Sequence, residues 1–232
     1  MTKQHHVAAI IPALNEEAAI ASVLQNLPYD CVTSVIVVDN GSTDATAAIA
    51  AAHGAIVVHE PQRGYGAACL RGIAEAQRRE ADIIVFLDAD GADHPDDIAL
   101  VLRPIIDGSA DLVIGSRARG TRERGSLTIP QRFGNWLATW LIRLLWRTRF
   151  TDLGPLRAIP STALANLHMQ DRTYGWTVEM QIKAAQQGLR CHEIPVRYRR
   201  RVGTSKISGT VRGTIMAGVI ILSTIARYAF RR

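Results

Sequence analysis

Cysteine is scarce in this chain. Cys31, Cys69 and Cys191 are the only three in 232 residues, odd in number and without metal-ligand spacing. That excludes a disulfide framework and a cysteine-bound zinc, and it fits a reduced, cytosolic setting. Acidic residues are outnumbered, 21 against 27 Lys and Arg, so the net charge is +6 and the pI about 9.6. An anionic partner is expected: a phosphate-rich substrate, an acidic lipid or nucleic acid. Long apolar stretches are missing. The first residues hold no apolar signal region, and residues 7–12 read as a strand. The tail segment 213–226 offers fourteen uncharged residues, where a membrane span needs roughly 20 apolar ones. Internal repeats, low-complexity segments and linkers are absent as well. No nucleic-acid-binding motif accompanies the basic residues, and the first strand-to-helix turn lacks Gly-x-Gly-x-x-Gly, which argues against a dinucleotide-dependent dehydrogenase. His5-His6 reads as a surface pair.

What is present is a globular chain, 47% hydrophobic and 21% charged, long enough for one large domain or two small ones. Short, β-branched, nearly all-apolar runs at 7–11, 35–38, 56–58, 83–87 and 112–114 read as strands buried on both faces. Helical patterns at 17–26, 43–53, 66–79 and 95–106 separate them, so the alternation predicts an α/β fold with an open, mostly parallel sheet. Ligands of such a sheet sit outside the carboxyl ends of its strands. After Gly115 the texture changes: a loop rich in Arg and Gly over 116–135, an amphipathic helix over 136–150, then a strand, a helix near 176–187 and a final strand near 191–198. Residues 199–209 are basic and polar, and 211–232 form a helix.

Three polar turns fall at strand ends. Val85-Phe86-Leu87-Asp88-Ala89-Asp90 runs three apolar residues straight into two carboxylates spaced one apart. Asp88 and Asp90 are hard oxygen ligands suited to Mg²⁺ or Mn²⁺, which keep other positions open for substrate phosphates. Asn15-Glu16 follows the first strand, either as a helix cap or with Glu16 on a ribose hydroxyl. Asp39-Asn40-Gly41-Ser42-Thr43-Asp44 follows the second, where Gly41 permits a tight turn and Asp39 can accept hydrogen bonds from a base or ribose. The turn Arg63-Gly64-Tyr65-Gly66 either approaches a sugar nucleotide or simply enters a helix.

Taken in order, Pro12-Ala13-Leu14-Asn15-Glu16, Val38-Asp39-Asn40-Gly41-Ser42-Thr43-Asp44, Asp88-Ala89-Asp90 and Gly115-Ser116-Arg117 resemble the motifs of family 2 glycosyltransferases with a GT-A fold. The branch the chain is similar to is the polyprenyl-phosphate (dolichyl-phosphate) mannose and glucose synthases. Thr151-Asp152-Leu153-Gly154-Pro155, Gly175-Trp176-Thr177-Val178-Glu179, Glu193-Ile194-Pro195 and Gly203-Thr204-Ser205-Lys206 carry that likeness onward, over about residues 7–210. It implies one GT-A domain over 1–210, a nucleotide-sugar half at 1–115 and an acceptor half at 116–210, followed by a membrane-interface helix at 211–232. The departures are Leu14 in place of a frequent Tyr, Asn40 for a second Asp, and Ala92 for a Gln on the metal side, with Asp93 placed to take over. Leu153-Gly154-Pro155-Leu156 replaces a Ser-Gly-Phe type of acceptor turn.

The resemblance implies transfer of a hexose from a nucleoside-diphosphate sugar, such as UDP-glucose or GDP-mannose, with inversion. Pro12, Leu14, Asn15, Glu16, Asp39, Gly66, Asp88, Ala89, Asp90 and Lys206 would form the donor site, with the metal on Asp88 and Asp90 stabilising the leaving diphosphate. A lipid-phosphate acceptor is already an anionic nucleophile and needs positioning by cations, for which Arg117, Arg132 and Arg201 are candidates. A hydroxyl acceptor needs a base, and Asp152 is the candidate. Glu179 organises the acceptor half. No Gln-x-x-Arg-Trp motif of processive synthases is present. Trp136, Trp140, Arg143 and Arg147 lie at i, i+4, i+7 and i+11 beside leucines, which suits a bilayer interface or a helix packed on the sheet. With Arg227, Tyr228, Arg231 and Arg232 at anionic headgroups, the expectation is peripheral attachment at the cytoplasmic face of a membrane, lost on removal of 211–232, with a homo-oligomer as the alternative use of that helix. The competing readings are a hexosyltransferase for another lipid or a small soluble hydroxyl acceptor, and a non-catalytic nucleotide-sugar-binding subunit.

Overall fold

The computed structural model of the chain describes residues 5–203 and 211–230. Seven strands form one sheet in the order β3-β2-β1-β4-β6-β5-β7. They are β1 Val7–Ala13, β2 Ser34–Asp39, β3 Ile56–His59, β4 Ile83–Phe86, β5 Leu112–Ser116, β6 Arg157–Pro160 and β7 Cys191–Pro195. Every pairing is parallel except those of β6, which runs antiparallel to both β4 and β5. The mostly parallel α/β sheet expected from the apolar runs is therefore what forms. Its two-residue side-chain period splits each strand between two cores. Ala8, Ile10, Ile36, Val38, Ile84 and Phe86 fall in one core, while Val7, Ala9, Ile11, Val35, Val37, Ile83 and Val85 fall in the other.

Among the described residues eight α-helices cover the two faces: α1 Ile20–Gln25, α2 Thr46–Ala52, α3 Tyr65–Arg78, α4 Ile98–Ile106, α5 Ile129–Trp146, α6 Ser161–Leu167, α7 Trp176–Gln186 and α8 Val211–Phe230. Helices α5 and α7 join the first core through Ala138, Ile142, Trp176, Val178 and Ile182. Helix α8 packs across α5 and α7. Among the described residues no helix is long and apolar enough to cross a membrane.

The structure corrects several sequence boundaries. The helix expected at 136–150 runs Ile129–Trp146, so the loop expected to reach 135 ends near 127. Thr128 starts the helix: Gln131 N–H donates to Thr128 Oγ1 at 3.4 Å, and Thr128 N–H donates to Gln131 Oε1 at 2.8 Å. This reciprocal capping box, with Pro130 in the first turn, satisfies two amides that lack intrahelical partners. At the other end Arg147 adopts φ 58° and closes the helix on Arg143 O. Helices α1 and α2 begin later than their patterns suggest, because residues 17–19 form a turn and residues 43–45 a bend. Helix α6 was not anticipated, being only 7 residues long.

Strand β1 connects onward to β2 on one side, while β4 returns on its other side. That reversal opens a crevice at the carboxyl ends of β1 and β4. Helix α3 lies over these strands at close range. A Cβ on Gly72 would stand 2.4 Å from Ile10 Cγ2 and 3.1 Å from Val38 Cγ2. Ile10 and Val38 are wholly buried and β-branched, so neither methyl can turn away. Gly72→Ala gains up to about 1 kcal/mol of helix propensity, but overpacking costs about 1–3 kcal/mol. The clash should win, and urea denaturation should show a lower midpoint with an unchanged slope.

Candidate active site

A cavity of about 540 Å³ occupies the crevice. Its floor is the end of β1, Pro12 and Ala13, together with Asp88, Ala89 and Asp90 just after β4. The turn after β1 is held by its neighbour. Asn15 adopts φ 53°, accepts from Thr43 N–H at 2.7 Å through Oδ1, and donates its own N–H to Ser42 Oγ at 2.9 Å. Asn15 is thus a brace for the turn, while Leu14 and Glu16 on either side of it face the cavity.

Asp39 is placed away from the cavity wall. One of its oxygens accepts from Ser42 N–H at 3.1 Å, and the other lies 3.1 Å from His59 Nδ1. Its neighbour Asn40 does line the cavity. Asn40 Nδ2 donates to Glu60 O at 2.9 Å and Gln62 O at 2.8 Å, and Oδ1 accepts from Gly64 N–H at 2.8 Å. These three bonds fix the 60–64 loop, which brings Arg63, Gly64 and Tyr65 into the wall. Gly66 lies just behind. A side chain at Gly64 or Gly66 would meet the backbone of Arg172 or Asp171 at 2.1 Å. Glycine is therefore required where this turn meets the 171–173 loop.

The carboxylates form the polar end of the cavity. Asp88 Oδ1 is sealed from solvent without a hydrogen-bond partner. Burial, and then the charge of Asp90, push the Asp88 carboxyl up to about 7. Asp90 Oδ1 accepts from Ala92 N–H at 2.9 Å, and Oδ2 lies 3.4 Å from Arg201 Nη1. Arg201 Nη2 donates to Glu16 Oε1 at 2.7 Å. Arg201, a candidate for the acceptor phosphate, therefore sits inside this cavity and bridges its two acidic walls. Asp93 is buried with both oxygens unpartnered, and burial followed by Asp88 and Asp90 raises its pKa well above the ordinary value. Among the described residues no three His, Cys, Asp or Glu side chains gather closely enough to hold one metal ion. Asp93 does not complete a ligand set in this geometry. The unpartnered oxygen of Asp88 beside Asp90 nevertheless fits a hard divalent cation that takes its other ligands from a substrate and water.

The other candidates lie elsewhere. Arg117 and Asp152 are locked together. Asp152 Oδ2 accepts from Arg117 N–H at 2.7 Å and Nε at 2.9 Å, and Oδ1 accepts from Nη2 at 2.7 Å. Burial alone would raise the Asp152 carboxyl, but the Arg117 charge and these bonds hold it below the usual value. The Arg117 guanidinium also stacks on Tyr198, 5.0 Å from the ring centroid. Arg132 lines a second cavity of about 380 Å³ with Arg122, Arg143, Trp136, Trp140 and Asp152. The three candidate arginines thus do not converge on one point. Lys206, Arg231 and Arg232 lie outside the described residues. The turn Arg63-Gly64-Tyr65, one of whose two sequence readings was an approach to the ligand, does line the cavity, whereas sequence reasoning missed Thr173, Tyr174, Met216 and Ile220. The Gly-x-Gly turn at 64–66 pointed to Tyr65; the last two are ordinary helix apolars with no local signal.

A model of glycosyl transferase family 2 matches residues 8–165. An uncharacterized glycosyltransferase of Mycobacterium tuberculosis is 38% identical over 214 residues, 91% of this chain and 94% of that protein. A UDP-N-acetylglucosamine–dolichyl-phosphate N-acetylglucosaminyltransferase of Methanococcus voltae is 34% identical over 209 residues, covering 81% and 83%. An undecaprenyl-phosphate mannosyltransferase of Micrococcus luteus is 29% identical over 240 residues, covering 96% of each. Among solved structures, glucosyl-3-phosphoglycerate synthase from Mycobacterium tuberculosis in complex with Mn²⁺ and uridine-diphosphate-glucose superposes with a TM-score of 0.74 at 25% identity, over 97% of this chain and 79% of that one. The strand-end acidic turns, the sheet order and these likenesses agree, and the chain belongs to glycosyltransferase family 2, an enzyme family with, here, the GT-A fold.

Proposed function

We propose that the protein transfers a hexose, with inversion, from a nucleoside-diphosphate sugar in the 540 Å³ cavity to a polyprenyl (dolichyl-type) phosphate at the cytoplasmic face of a membrane. The observation that carries this reading is Asp88 and Asp90 at one end of a cavity that also offers apolar and aromatic walls from Leu14, Tyr65, Tyr174, Met216 and Ile220. The volume suits a small-molecule ligand. Leu14, Tyr65 and Tyr174 offer faces for a base, and Glu16 an acceptor for a ribose hydroxyl. Asp88 and Asp90 would hold Mg²⁺ or Mn²⁺, which when bound supplies Lewis-acid neutralisation of the diphosphate. Arg201, already between Glu16 and Asp90, places a permanent positive charge where negative charge develops on departure.

The state of Asp152 favours a phosphate acceptor over a hydroxyl one. A hydroxyl needs a base, and the candidate base has both oxygens committed to Arg117. A phosphate ester is ionised near neutral pH and needs cations to orient it, which Arg122, Arg132 and Arg143 of the second cavity supply. Asp152 then acts as the partner that fixes Arg117. The printed activities of the dolichyl-phosphate and undecaprenyl-phosphate relatives support a lipid phosphate. The glucosyl-3-phosphoglycerate synthase likeness favours a second reading, a small phosphorylated acceptor.

Membrane attachment is supported by α5. Ile129, Phe133, Trp136, Trp140 and Leu144 are exposed and follow helical spacing, so they form one apolar stripe. Residues 128–150 contain four arginines and no Asp or Glu. An apolar stripe with aromatic residues and an all-cationic border suits an anionic bilayer surface.

Incubation with labelled UDP-glucose or GDP-mannose and Mn²⁺ should move label into an acid-labile polyprenyl fraction; label appearing instead in phosphoglycerate would install the second reading. Asp88→Asn should lower that transfer by about 10²–10³-fold, and near-native turnover would remove the carboxylate pair from the chemistry. Asp152→Asn breaks a buried ion pair and should cost about 3–5 kcal/mol of stability, read by chemical denaturation. Trp136→Ala with Trp140→Ala should reduce partitioning onto anionic liposomes by at least about tenfold, and unchanged partitioning would refute docking through α5.

A further inference from the structure

One wall of the donor cavity comes from far along the chain. Met216 and Ile220 of α8 line it opposite the strand ends. They begin a stripe, Met216, Ile220, Thr224 and Tyr228, spaced four apart and so sharing one face of α8. Thr224 is buried and packs on the loop that precedes α7: a Cβ built on Gly175 would stand 2.5 Å from Thr224 Oγ1 and 2.3 Å from Asp171 Oδ2. Tyr228 ends the stripe, its hydroxyl donating to Glu179 Oε1 at 2.6 Å.

Glu179, on α7, is 1% exposed. It accepts from Gln170 N–H at 3.1 Å and Asp171 N–H at 2.8 Å, and Lys183 Nζ lies 2.9 Å away. Burial works against its charge, while the bonds from Tyr228, Lys183 and the two amides hold its carboxyl below the ordinary glutamate value. The 170–174 segment anchored in this way carries Thr173 and Tyr174 into the cavity. Its Arg172 and Thr173 carbonyls accept from Ala67 N–H at 2.9 Å and Gly66 N–H at 3.2 Å in the first turn of α3. Two walls that share no sequence, α8 and the 170–174 loop, are thus pinned by one carboxylate.

We propose that Glu179 is a positioning residue for the donor nucleotide, acting through the 170–174 loop and Tyr228, and that α8 is the outer wall of the donor site. The inference rests on reading the cavity as the nucleotide-sugar site. The test measures equilibrium binding of UDP and of GDP, each with Mn²⁺, to the full chain and to Tyr228→Phe, Glu179→Gln, Met216→Trp and Ala226→Ser. Melting temperatures without nucleotide are recorded alongside. Failure of the unmodified protein to bind either nucleotide would refute the reading of the cavity itself. Where it binds, Tyr228→Phe and Glu179→Gln should weaken the Kd about tenfold, as expected for loss of a hydrogen bond to a charged group. Met216→Trp, at a position 49% exposed, fills the cavity side of α8 and should weaken binding at least as much. Ala226→Ser, on the opposite side of the helix, should bind as the unmodified protein does. A nucleotide Kd unchanged in both Tyr228→Phe and Met216→Trp would overturn the proposal, and a lowered melting temperature alone would then assign the network to stability.

Discussion

Negative charge only partly balanced by protein cations, at the end of β4, is the constraint on which the rest of the site depends. Asp88, Asp90 and Asp93 lie within electrostatic reach of one another, and burial, followed by their mutual repulsion, raises the pKa of Asp88 and Asp93. Such a cluster is destabilising to the isolated fold. The surrounding structure supplies partial relief from two sides, Arg201 beside Asp90 and Arg117 at longer range, both of which lower the Asp88 carboxyl. Neither arginine satisfies Asp88 Oδ1. A site that leaves one carboxylate oxygen unpaired while balancing its neighbours is disposed to take a cation. The sheet reversal at β1 and β4 provides the crevice in which a diphosphate can bring the remaining ligands.

The division of labour among the arginines follows from what each one touches. Arg117 is consumed by Asp152 and by the Tyr198 ring, so its role is to hold the end of β5 against the 151–154 turn. Gln181 donates to Asp152 O at 2.9 Å from the other side. Arg157, wholly buried, donates to Leu153 O at 3.3 Å and Thr177 O at 3.2 Å. That turn is therefore held by arginines behind it, while Arg132 and Arg143 stay exposed in front. On the proposed reading, the front set meets the acceptor and the rear set fixes the frame on which the acceptor half rests.

Much of the fold was legible because its determinants are local. All-apolar β-branched runs announce a covered parallel sheet, and Asp88-Ala89-Asp90 directly after such a run lands at the carboxyl edge whatever the rest of the chain does. The start of α5 was not legible: Thr128-Ile129-Pro130-Gln131 carries the capping pattern, but the surrounding Arg and Gly give the segment the composition of a loop. The fate of Asp152 was not legible. Whether it serves as a base or as an ion-pair partner depends on Arg117, 35 positions earlier, and on burial that only the assembled sheet creates. Asp39 turned from the cavity for a similar reason, since His59 on the neighbouring strand claims it.

Helix α8 shows why an apolar helix is the hardest element to read. Its charge-free stretch suggested an interfacial segment, and Ile215, Val219 and Leu222 are indeed exposed on its outer side. Its inner stripe, by contrast, reaches from the cavity at Met216 to Glu179 at Tyr228. Composition cannot separate these faces, because both are apolar for most of their length. Their union in one rigid element has an energetic consequence on the proposed reading. Any free energy by which a contact on its outer face favours one placement of α8 is also felt at the nucleotide, and linkage requires the nucleotide to return the same coupling to that contact. With the cavity wall and an exposed apolar face on opposite sides of a single helix, whatever covers the outer face is coupled to affinity at the inner one.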